Sequence, residues 1–272
     1  MSRMQTILEK AEREGAVMRL RSHPEPAAVV PAAAAERPVA AAPPALGLAS
    51  LSGTATLART SPGLRLDRAL VAAVAGENAV AEQYRALCTR IARADQDAPI
   101  HVILVTSPGA GEGKSVTAAN LALTMAREYQ RPTCIIDANL RSPKLQQLFG
   151  LPEGPGLSDV LAGRAQLEDA LTTIENLGVT VLPAGTVQQH PAELLGAATM
   201  RQTLDSLRLQ FDRIIIDTPA ALARADMGLL TPLVDRIVLV VRAGVTPKAS
   251  ITDVITALDT RRLLGVVLNE AA

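Results

Sequence analysis

One short stretch of the chain combines glycine, lysine and serine at the spacing that binds phosphate. It reads Ser-Pro-Gly-Ala-Gly-Glu-Gly-Lys-Ser and covers residues 107–115. Its three glycines let the backbone turn N–H groups inward and form a nest for an anion. Lys114 is placed to reach the β- and γ-phosphates of a nucleotide, and the Ser115 hydroxyl is placed to ligate Mg²⁺. The stretch therefore predicts a phosphate loop that binds ATP with Mg²⁺.

The loop departs from the strict GxxxxGK[ST] pattern at one position. That pattern needs glycine at 108, where this chain has Pro108, and the first loop glycine is Gly109. The prediction stands because an apolar strand precedes the loop and a helical pattern follows it, and a helix N-terminus favours phosphate. A glycine-rich turn with an incidental lysine is the alternative. The loop residues expected to contact the nucleotide are Gly109, Gly111, Glu112, Gly113, Lys114, Ser115 and Val116.

Two carboxylates follow apolar strands and are candidates for work beside this loop. Asp217 ends the strand Ile214-Ile215-Ile216, and Asp137 ends another apolar run. Ligands of parallel α/β sheets bind at the carboxyl ends of the strands, so both carboxylates are expected beside the phosphate loop. Asp217 is predicted to hold a water on Mg²⁺, and Arg141 follows Asp137 within one loop. An aspartate after a strand is also often a helix cap, and that alternative stays open.

Alternating apolar and amphipathic segments predict the framework that positions these residues. Strands are predicted at 101–106, 132–138, 179–184, 212–218, 235–241 and 263–269, and helices at 116–128, 191–209 and 248–259. Several strands are apolar on both faces, which is typical of parallel strands covered by helices on both sides. The sequence therefore predicts a doubly wound, mostly parallel α/β sheet of the P-loop type.

Three segments are predicted along the chain. Residues 1–22 carry apolar positions at helical spacing and predict an amphipathic helix over about 2–20, with a frayed tail as the alternative. Residues 23–63 form an Ala/Pro-rich linker, because repeated prolines exclude a continuous helix. Residues 64–272 form the nucleotide-binding domain, which is expected to begin with a helical segment from near Leu66 to Ala94.

Charge and cysteine content exclude several classes of function. Lys+Arg and Asp+Glu each number 27, so the formal net charge is zero and the positive field of a nucleic-acid binder is missing. Cys88 and Cys134 form no CxxC pair and are expected to be buried, reduced thiols, which argues against an iron–sulfur carrier. No run approaches the ~20 apolar residues of a membrane span, and no signal-peptide core is present. We therefore expect a cytoplasmic protein that does not bind nucleic acid.

From Glu82 to Asn269, and over its first 15 residues, the chain resembles the bacterial tyrosine kinase family of capsule and exopolysaccharide synthesis. The similar blocks occur in the family's order and read TSPGAGEGKSVTAANLA, IIDANLRSPKLQQLFGL, GLSDVLAG, HPAELL, FDRIIIDTPA and GVVLN. The resemblance implies a protein-tyrosine kinase that transfers the γ-phosphate of ATP, with Mg²⁺, to protein tyrosine. It also implies a cytoplasmic protein held at the inner face of the membrane by a partner.

The resemblance assigns roles to residues at matching positions. Lys114, Asp137 and Asp217 are the implied catalytic residues, and Ser115, Asp137 and Asp217 are the implied Mg²⁺ ligands. A tyrosine hydroxyl has a pKa near ~10, so it needs a base or a nearby cation before it attacks, and Asp137 is expected to serve the acceptor hydroxyl. Asn269 is expected to contact adenine, and Arg141 to contact the nucleotide.

Two positions and one missing segment depart from the family's pattern. The second aspartate of the DxDxR segment is Asn139, which can ligate a metal through its carbonyl but carries no charge. The last arginine of the ExxRxxR motif, linked to assembly of copies, is Cys88. The tyrosine cluster that usually follows the last strand is absent from this sequence, whose tyrosines are Tyr84 and Tyr129.

Partners are expected from the same resemblance. A membrane polysaccharide co-polymerase on a separate chain is the implied partner, with the N-terminal helix as a docking element. A homo-oligomer through Glu82 and Arg85 is the second expectation, and an ordinary i,i+3 ion pair between them is the alternative.

Two other functions are compatible with the residues. The first alternative is an ATPase switch or nucleotide-binding scaffold that regulates the co-polymerase. It arises because Asn139 and the missing tyrosine cluster depart from the pattern of the kinases. A Min/Par-type positioning ATPase is the second, although its signature lysine early in the loop is replaced here by Gly109.

Overall fold

Runs of branched aliphatic residues form the strands of one central sheet. The computed structural model describes residues 17–20, 59–60, 65–73, 79–188, 191–196, 198–221 and 226–269. The strands are β1 (Val17–Leu20), β2 (Arg59–Thr60), β3 (Val102–Thr106), β4 (Thr133–Asp137), β5 (Thr172–Ile174), β6 (Val179–Leu182), β7 (Arg213–Asp217), β8 (Arg236–Arg242) and β9 (Leu263–Asn269). The central strands β3, β4 and β7 are buried along their whole length.

The sheet has the order β1-β9-β8-β3-β7-β4-β6-β5-β2 in the described residues. Every pair is parallel except β5 with β6, which is antiparallel. In β7, Asp217 is the register partner of Val105 on one side and of Asp137 on the other. The mostly parallel α/β sheet predicted from the sequence is confirmed, and its central strands deliver the two carboxylates to one edge.

Helices cover both faces of the sheet. They are α1 (Ala79–Asp97), α2 (Lys114–Glu128), α3 (Leu145–Leu148), α4 (Leu157–Leu161), α5 (Leu167–Ala170), α6 (Pro191–Leu195), α7 (Ala198–Arg208), α8 (Asp226–Leu230) and α9 (Lys248–Ala257), with short 3-10 turns at Val71–Ala73, Glu175–Leu177 and Thr231–Leu233. None of these helices combines the length and the apolar character that crossing a bilayer requires.

Side chains alternate along β3 between two separate cores, as the pleat requires. Ile103 and Val105 pack with α1 and α2 on one face. Val102 and Leu104 pack with α7 and α9 on the other face. Both cores are built almost entirely from aliphatic side chains, and Phe149 is the largest fully buried one in the described part of the chain.

The structure differs from the N-terminal predictions in the residues that it describes. Val17–Leu20 form a strand, not the end of a helix, and pair with Val266–Asn269 of β9. The rest of the predicted helix lies outside the described residues. Within the predicted linker, Arg59–Thr60 pair with β5, and the remainder also lies outside them. These local departures arise because an open sheet edge offers backbone partners that a periodicity argument does not see.

The helix expected from Leu66 begins later than predicted. Residues 65–70 are not helical, because Asp67 turns back to accept a hydrogen bond from the Ala69 amide at 2.8 Å. Residues 74–78 lie outside the described part, and α1 begins at Ala79. The short antiparallel strand β5 was not predicted at all.

Candidate active site

The phosphate loop joins the end of β3 to the start of α2, and two of its glycines are required by its shape. Gly111 and Gly113 have φ of 76° and 90°, in the left-handed region that side chains avoid. A Cβ on Gly113 would also lie 2.0 Å from Nδ2 of Asn269. The Asn269 side chain therefore packs directly against the loop, from the end of β9.

Lys114 and Ser115 are the first two residues of α2, at the end where the helix dipole favours an anion. Each is 8% exposed, so both side chains lie within the site and not on the open surface. α2 has 15 residues and no side-chain cap at its N-terminus. Its first turn therefore offers the arrangement that binds phosphate in P-loop proteins.

Asp217 is a buried carboxylate that no normal hydrogen bond reaches. It is fully buried, and both of its oxygens lack a hydrogen-bond partner within the described structure. Burial first, and the nearby negative charge of Asp137 second, raise the pKa of Asp217. The Ser115 hydroxyl and the Lys114 ammonium lie close enough to oppose that rise in part, although neither makes a hydrogen bond of normal geometry. Such a group is costly unless a cation or water joins it.

Asp137 lies beside Asp217 but is surrounded by backbone donors. Its Oδ1 accepts a hydrogen bond from the Asn139 amide at 3.1 Å, and its Oδ2 accepts bonds from the Lys144 and Leu145 amides at 2.9 and 3.0 Å. Burial raises the pKa of Asp137, and these three amides and Lys114 act against that rise. Asp137 thus holds the loop before α3 in place, so part of the helix-cap alternative applies to it.

The bare oxygens of Asp217 fit a hydrated divalent cation. No cluster of three or more His, Cys, Asp or Glu side chains that could hold a metal unaided occurs in the described residues. Mg²⁺ is usually bound through one or two carboxylates together with phosphate oxygens and water. The residues present therefore fit Mg²⁺ that arrives with a nucleotide, with Ser115 and Asp217 on the protein side.

Asn139 is turned towards its own loop. Its Nδ2 donates a hydrogen bond to the Ser142 carbonyl at 2.7 Å, and its side chain is largely buried. A carboxylate at this position could not donate that bond, so asparagine suits the loop conformation seen here. Arg141 follows on the exposed side of the same loop.

Glu112 connects the phosphate loop to the loop after β8, a contact that sequence reasoning missed. Its Oε2 accepts a hydrogen bond from the Gly109 amide at 3.0 Å, and its Oε1 accepts one from the Thr246 hydroxyl at 2.6 Å. The Asn269 amide donates to the Glu112 carbonyl at 3.1 Å. No motif surrounds Thr246, so the sequence carried no signal for it.

The remaining candidates lie away from this edge. Arg85 makes 2.6 Å ion pairs with Glu82 and with Glu128 on the outside of α1 and α2. Within a single copy of the chain, Glu82 and Arg85 therefore form the ordinary i,i+3 ion pair that was the alternative to an oligomer contact. Cys88 and Cys134 are both buried free thiols, and burial raises the pKa of each.

Several relatives of the chain are named tyrosine-protein kinases. The tyrosine-protein kinase YwqD of Bacillus subtilis is 35% identical over 213 residues, which cover 78% of this chain and 90% of YwqD. The chain belongs to the bacterial tyrosine kinase family. The tyrosine-protein kinase CpsD of Streptococcus pneumoniae serotype 4 is 37% identical over 194 residues, which cover 70% of this chain and 83% of CpsD. The family predicted from the sequence blocks is thereby confirmed, although a comparison with family models gave no match.

Some members of the family are much longer than this chain. The putative tyrosine-protein kinase EpsB of Ralstonia solanacearum is 34% identical over 190 residues, but the match covers only 25% of EpsB. The chain therefore corresponds to nearly the whole of YwqD and to a quarter of EpsB.

Solved structures of the family share the fold. The chimerical protein CapA2B2 gives a TM-score of 0.70 at 30% identity, over 76% of this chain and 91% of that one. The kinase domain of the Escherichia coli tyrosine kinase ETK gives 0.70 at 27% identity, over 74% and 80%. MinD of Pyrococcus horikoshii, in complex with Mg-ADP, gives only 0.53 at 27% identity, over 62% and 69%. The ETK kinase domain thus resembles this chain more closely than MinD does.

Proposed function

We propose that this bacterial tyrosine kinase transfers the γ-phosphoryl group of Mg-ATP to tyrosine hydroxyls of proteins in exopolysaccharide or capsule synthesis. The observation that carries the proposal is Asp217, a fully buried carboxylate with two unpartnered oxygens beside Lys114 and Ser115. A charge buried in that way is stable only with a counterion, and Mg-ATP supplies one.

Each residue of the site has a role in phosphoryl transfer that follows from its surroundings. Lys114 and the first turn of α2 bind and neutralise the phosphates, and Gly109, Gly111, Gly113 and Val116 shape the loop around them. Ser115 and Asp217 hold Mg²⁺, which when bound neutralises charge that develops between the β- and γ-phosphates. Asp137, whose pKa is raised by burial, takes the proton of the acceptor hydroxyl. Glu112 and Asn269 hold the phosphate loop in its conformation through their hydrogen bonds, and Arg141 contacts the nucleotide from the loop after β4.

A protein substrate and a membrane partner follow from the family. One relative, ExoP of Rhizobium meliloti, is named a succinoglycan biosynthesis transport protein and is 33% identical over 174 residues. We infer that this chain works at the inner face of the membrane beside a polysaccharide co-polymerase on a separate chain, and that residues 1–22 dock on it.

The test is a phosphoryl-transfer assay with matched variants. Purified protein is incubated with radiolabelled ATP, Mg²⁺ and a Glu/Tyr copolymer, and released phosphate and phosphotyrosine are followed together. Lys114→Met and Asp217→Asn are expected to lose label on tyrosine by at least about a hundredfold, because each removes stabilisation of the transferring phosphate. The control Lys248→Met removes a lysine at the start of α9 and is expected to keep full activity.

Three results are possible in that assay. Lys114-dependent phosphotyrosine supports the proposal. Phosphate release without phosphotyrosine would instead indicate an ATPase switch. Nucleotide binding with neither product would indicate a scaffold, and either of these two results overturns the kinase assignment.

A further inference from the structure

The two tyrosines of the chain differ sharply in access. Tyr84 is 3% exposed, packs in the core under α1, and burial raises the pKa of its phenol to about 12. Tyr129 is 37% exposed at the end of α2. Since the full sequence contains two tyrosines, Tyr129 is the one whose hydroxyl another molecule can approach in the folded protein.

Tyr129 lies in an exposed turn at the end of α2. It is the last residue of the turn that closes α2, and residues 128–132 are all exposed. The next residue, Gln130, has φ of 48°, a left-handed conformation that is uncommon outside glycine. The Tyr129 hydroxyl shares a 2.8 Å hydrogen bond with Thr89 Oγ1 and donates a 3.3 Å bond to the Arg85 carbonyl. Exposed hydrogen bonds of this kind contribute about 1 kcal/mol each, so local opening is accessible.

The surroundings of Tyr129 suit an added phosphate. Arg131 lines the same small cavity as Tyr129, and its guanidinium lies 3.8 Å from Asp212. The Arg85 guanidinium is bound to Glu128, the residue that precedes Tyr129. Arginine pairs strongly with phosphate dianions. Arg85 is at present held by Glu82 and Glu128, so a phosphate on Tyr129 would compete for it and change the ion pairs between α1 and α2.

The distance between this turn and the chain's own phosphate loop excludes self-modification within one copy. α2 carries Lys114 at its first residue and Tyr129 just after its last. A helix of 15 residues is roughly 22 Å long. The Tyr129 hydroxyl therefore cannot reach the γ-phosphate bound at the N-terminus of the same helix.

We propose that Tyr129 is a phospho-acceptor of this chain and that a second copy of the chain modifies it, an inference that rests on the proposed kinase function. The Tyr129 Oη forms a bond to the γ-phosphorus of ATP in the partner copy, and the bond from that phosphorus to the β–γ bridging oxygen breaks. ADP leaves with the electron pair of that bond, and the phenolic proton passes to Asp137 of the copy that holds the ATP.

The test separates the enzyme from its acceptor by mixing two versions of the full chain. Lys114→Met carries the acceptor but no activity, and Tyr129→Phe carries activity but no acceptor, with an affinity tag distinguishing the two. After incubation with radiolabelled ATP and Mg²⁺, label on the Lys114→Met chain is located by peptide mapping. The Glu/Tyr copolymer is phosphorylated in parallel tubes as a measure of basal activity.

Matched variants control for the hydrogen bonds of Tyr129. Thr89→Val removes its hydrogen-bond partner and leaves the acceptor, so its Lys114→Met form is expected to be labelled at least as fast. Lys114→Met with Tyr129→Phe is expected to show background label. Wild-type protein alone is expected to label at a rate that rises with the square of its concentration.

The outcomes distinguish failure of the inference from failure of the kinase function. Label at Tyr129 of the inactive chain supports the inference. Phosphorylation of the copolymer with no label at Tyr129 overturns the inference and leaves the kinase function standing. Absence of phosphotyrosine on both substrates overturns the kinase function and the inference with it.

Discussion

Two aspartates that are register partners on neighbouring strands have opposite surroundings. Asp137 accepts three backbone hydrogen bonds, whereas Asp217 accepts none of normal geometry. Strands lie about 4.8 Å apart, so the charges of the two carboxylates also repel each other. The loop before α3 depends on Asp137, and the charge of Asp217 is available to a cation.

Replacing Asp217 by asparagine is expected to stabilise the nucleotide-free protein at alkaline pH. The pKa of Asp217 is raised above its unfolded value of about 3.9, so the folded state binds the proton more tightly. Wild-type stability therefore falls as pH rises from about 4 through the folded pKa, and Asp217→Asn escapes that loss. Urea unfolding at a series of pH values should show a difference that is absent near pH 4 and reaches about 1–3 kcal/mol once the carboxyl is ionised.

Asp137→Asn is the matched comparison for that experiment. Its new NH₂ group would face backbone amide donors, so it is expected to destabilise the protein by about 1–3 kcal/mol near neutral pH. Adding Mg-ADP should reverse the advantage of Asp217→Asn, because only the wild type has the charge that holds Mg²⁺. Equal stability of wild type and Asp217→Asn at every pH would show that Asp217 is already neutralised by another group.

At the residue scale, the sequence predicts the candidate site residues better than it predicts the hydrogen-bond partners that hold them in place. A loop motif and a strand end indicated Lys114, Ser115 and Asp217 as candidates, and the structure brings these three side chains together. The amide partners of Asp137 and the Thr246 contact of Glu112 were not found. The Asp137 partners lie 2, 7 and 8 residues further along and depend on how that loop folds back, whereas Thr246 is 134 residues from Glu112. No local sequence pattern indicates either set of contacts.

At the element scale, a largely buried ion pair between Arg213 and Asp95 joins β7 to α1. Arg213 in β7 is hydrogen-bonded to Asp95 near the end of α1, at 2.5 Å, and also to the carbonyls of Ile100 and Asp212. Burial alone would raise the pKa of Asp95, but hydrogen bonds from the Ile100 amide and from Arg213 hold it below its usual value. The pair therefore fixes where α1 ends and β3 begins.

Arg213→Met is expected to destabilise the protein by about 2–3 kcal/mol at pH 7, because it leaves the Asp95 carboxylate without its cation. The lowered pKa of Asp95 means that the pair contributes above the unfolded pKa of about 3.9 and is lost as pH falls through the folded pKa. Urea unfolding should thus show a deficit that shrinks below about pH 4. Arg236→Met, at the start of β8, serves as the control, and a deficit of equal size in that variant would argue against a specific pair.

The sequence predicts the buried parallel strands well and the short edge elements poorly. β3, β4, β7 and β8 are continuous apolar runs bounded by polar turns, so their pattern is strong. β5 has three residues and follows no such pattern. β1 is a strand because the edge of β9 is available to it, and a four-residue segment has no comparable preference of its own.

At the scale of the whole molecule, the N-terminal part of the chain touches both edges of the sheet. β1 lies against β9 at one end and β2 against β5 at the other. The nine strands of the described residues, at about 4.8 Å from one to the next, span roughly 38 Å. Both edges are thus covered by chain that precedes the phosphate loop, which limits pairing with other molecules.

Two N-terminal deletions are expected to have different effects on stability. Deleting residues 1–16 keeps β1, and deleting residues 1–22 removes it and uncovers β9. The longer deletion should lose about 1–3 kcal/mol, since each backbone hydrogen bond contributes about 1 kcal/mol net, and the shorter one should lose little. Thermal unfolding measures both, and equal melting temperatures would show that β1 does not stabilise the sheet. The shorter deletion also tests docking on a membrane partner without altering the sheet.

The scarcity of aromatic side chains has an optical consequence. The chain contains no tryptophan, and its two tyrosines lie in or beside the contact between α1 and α2. Ultraviolet emission from the native protein therefore reports on that one region and stays silent elsewhere. A single tryptophan introduced at the half-buried Phe211, far along the chain from both tyrosines, would emit against an almost dark background. Tyrosine emission would then report on the core beside α1 and α2, and tryptophan emission on the core of the opposite face of the sheet. The unfolding of the two cores could therefore be measured separately.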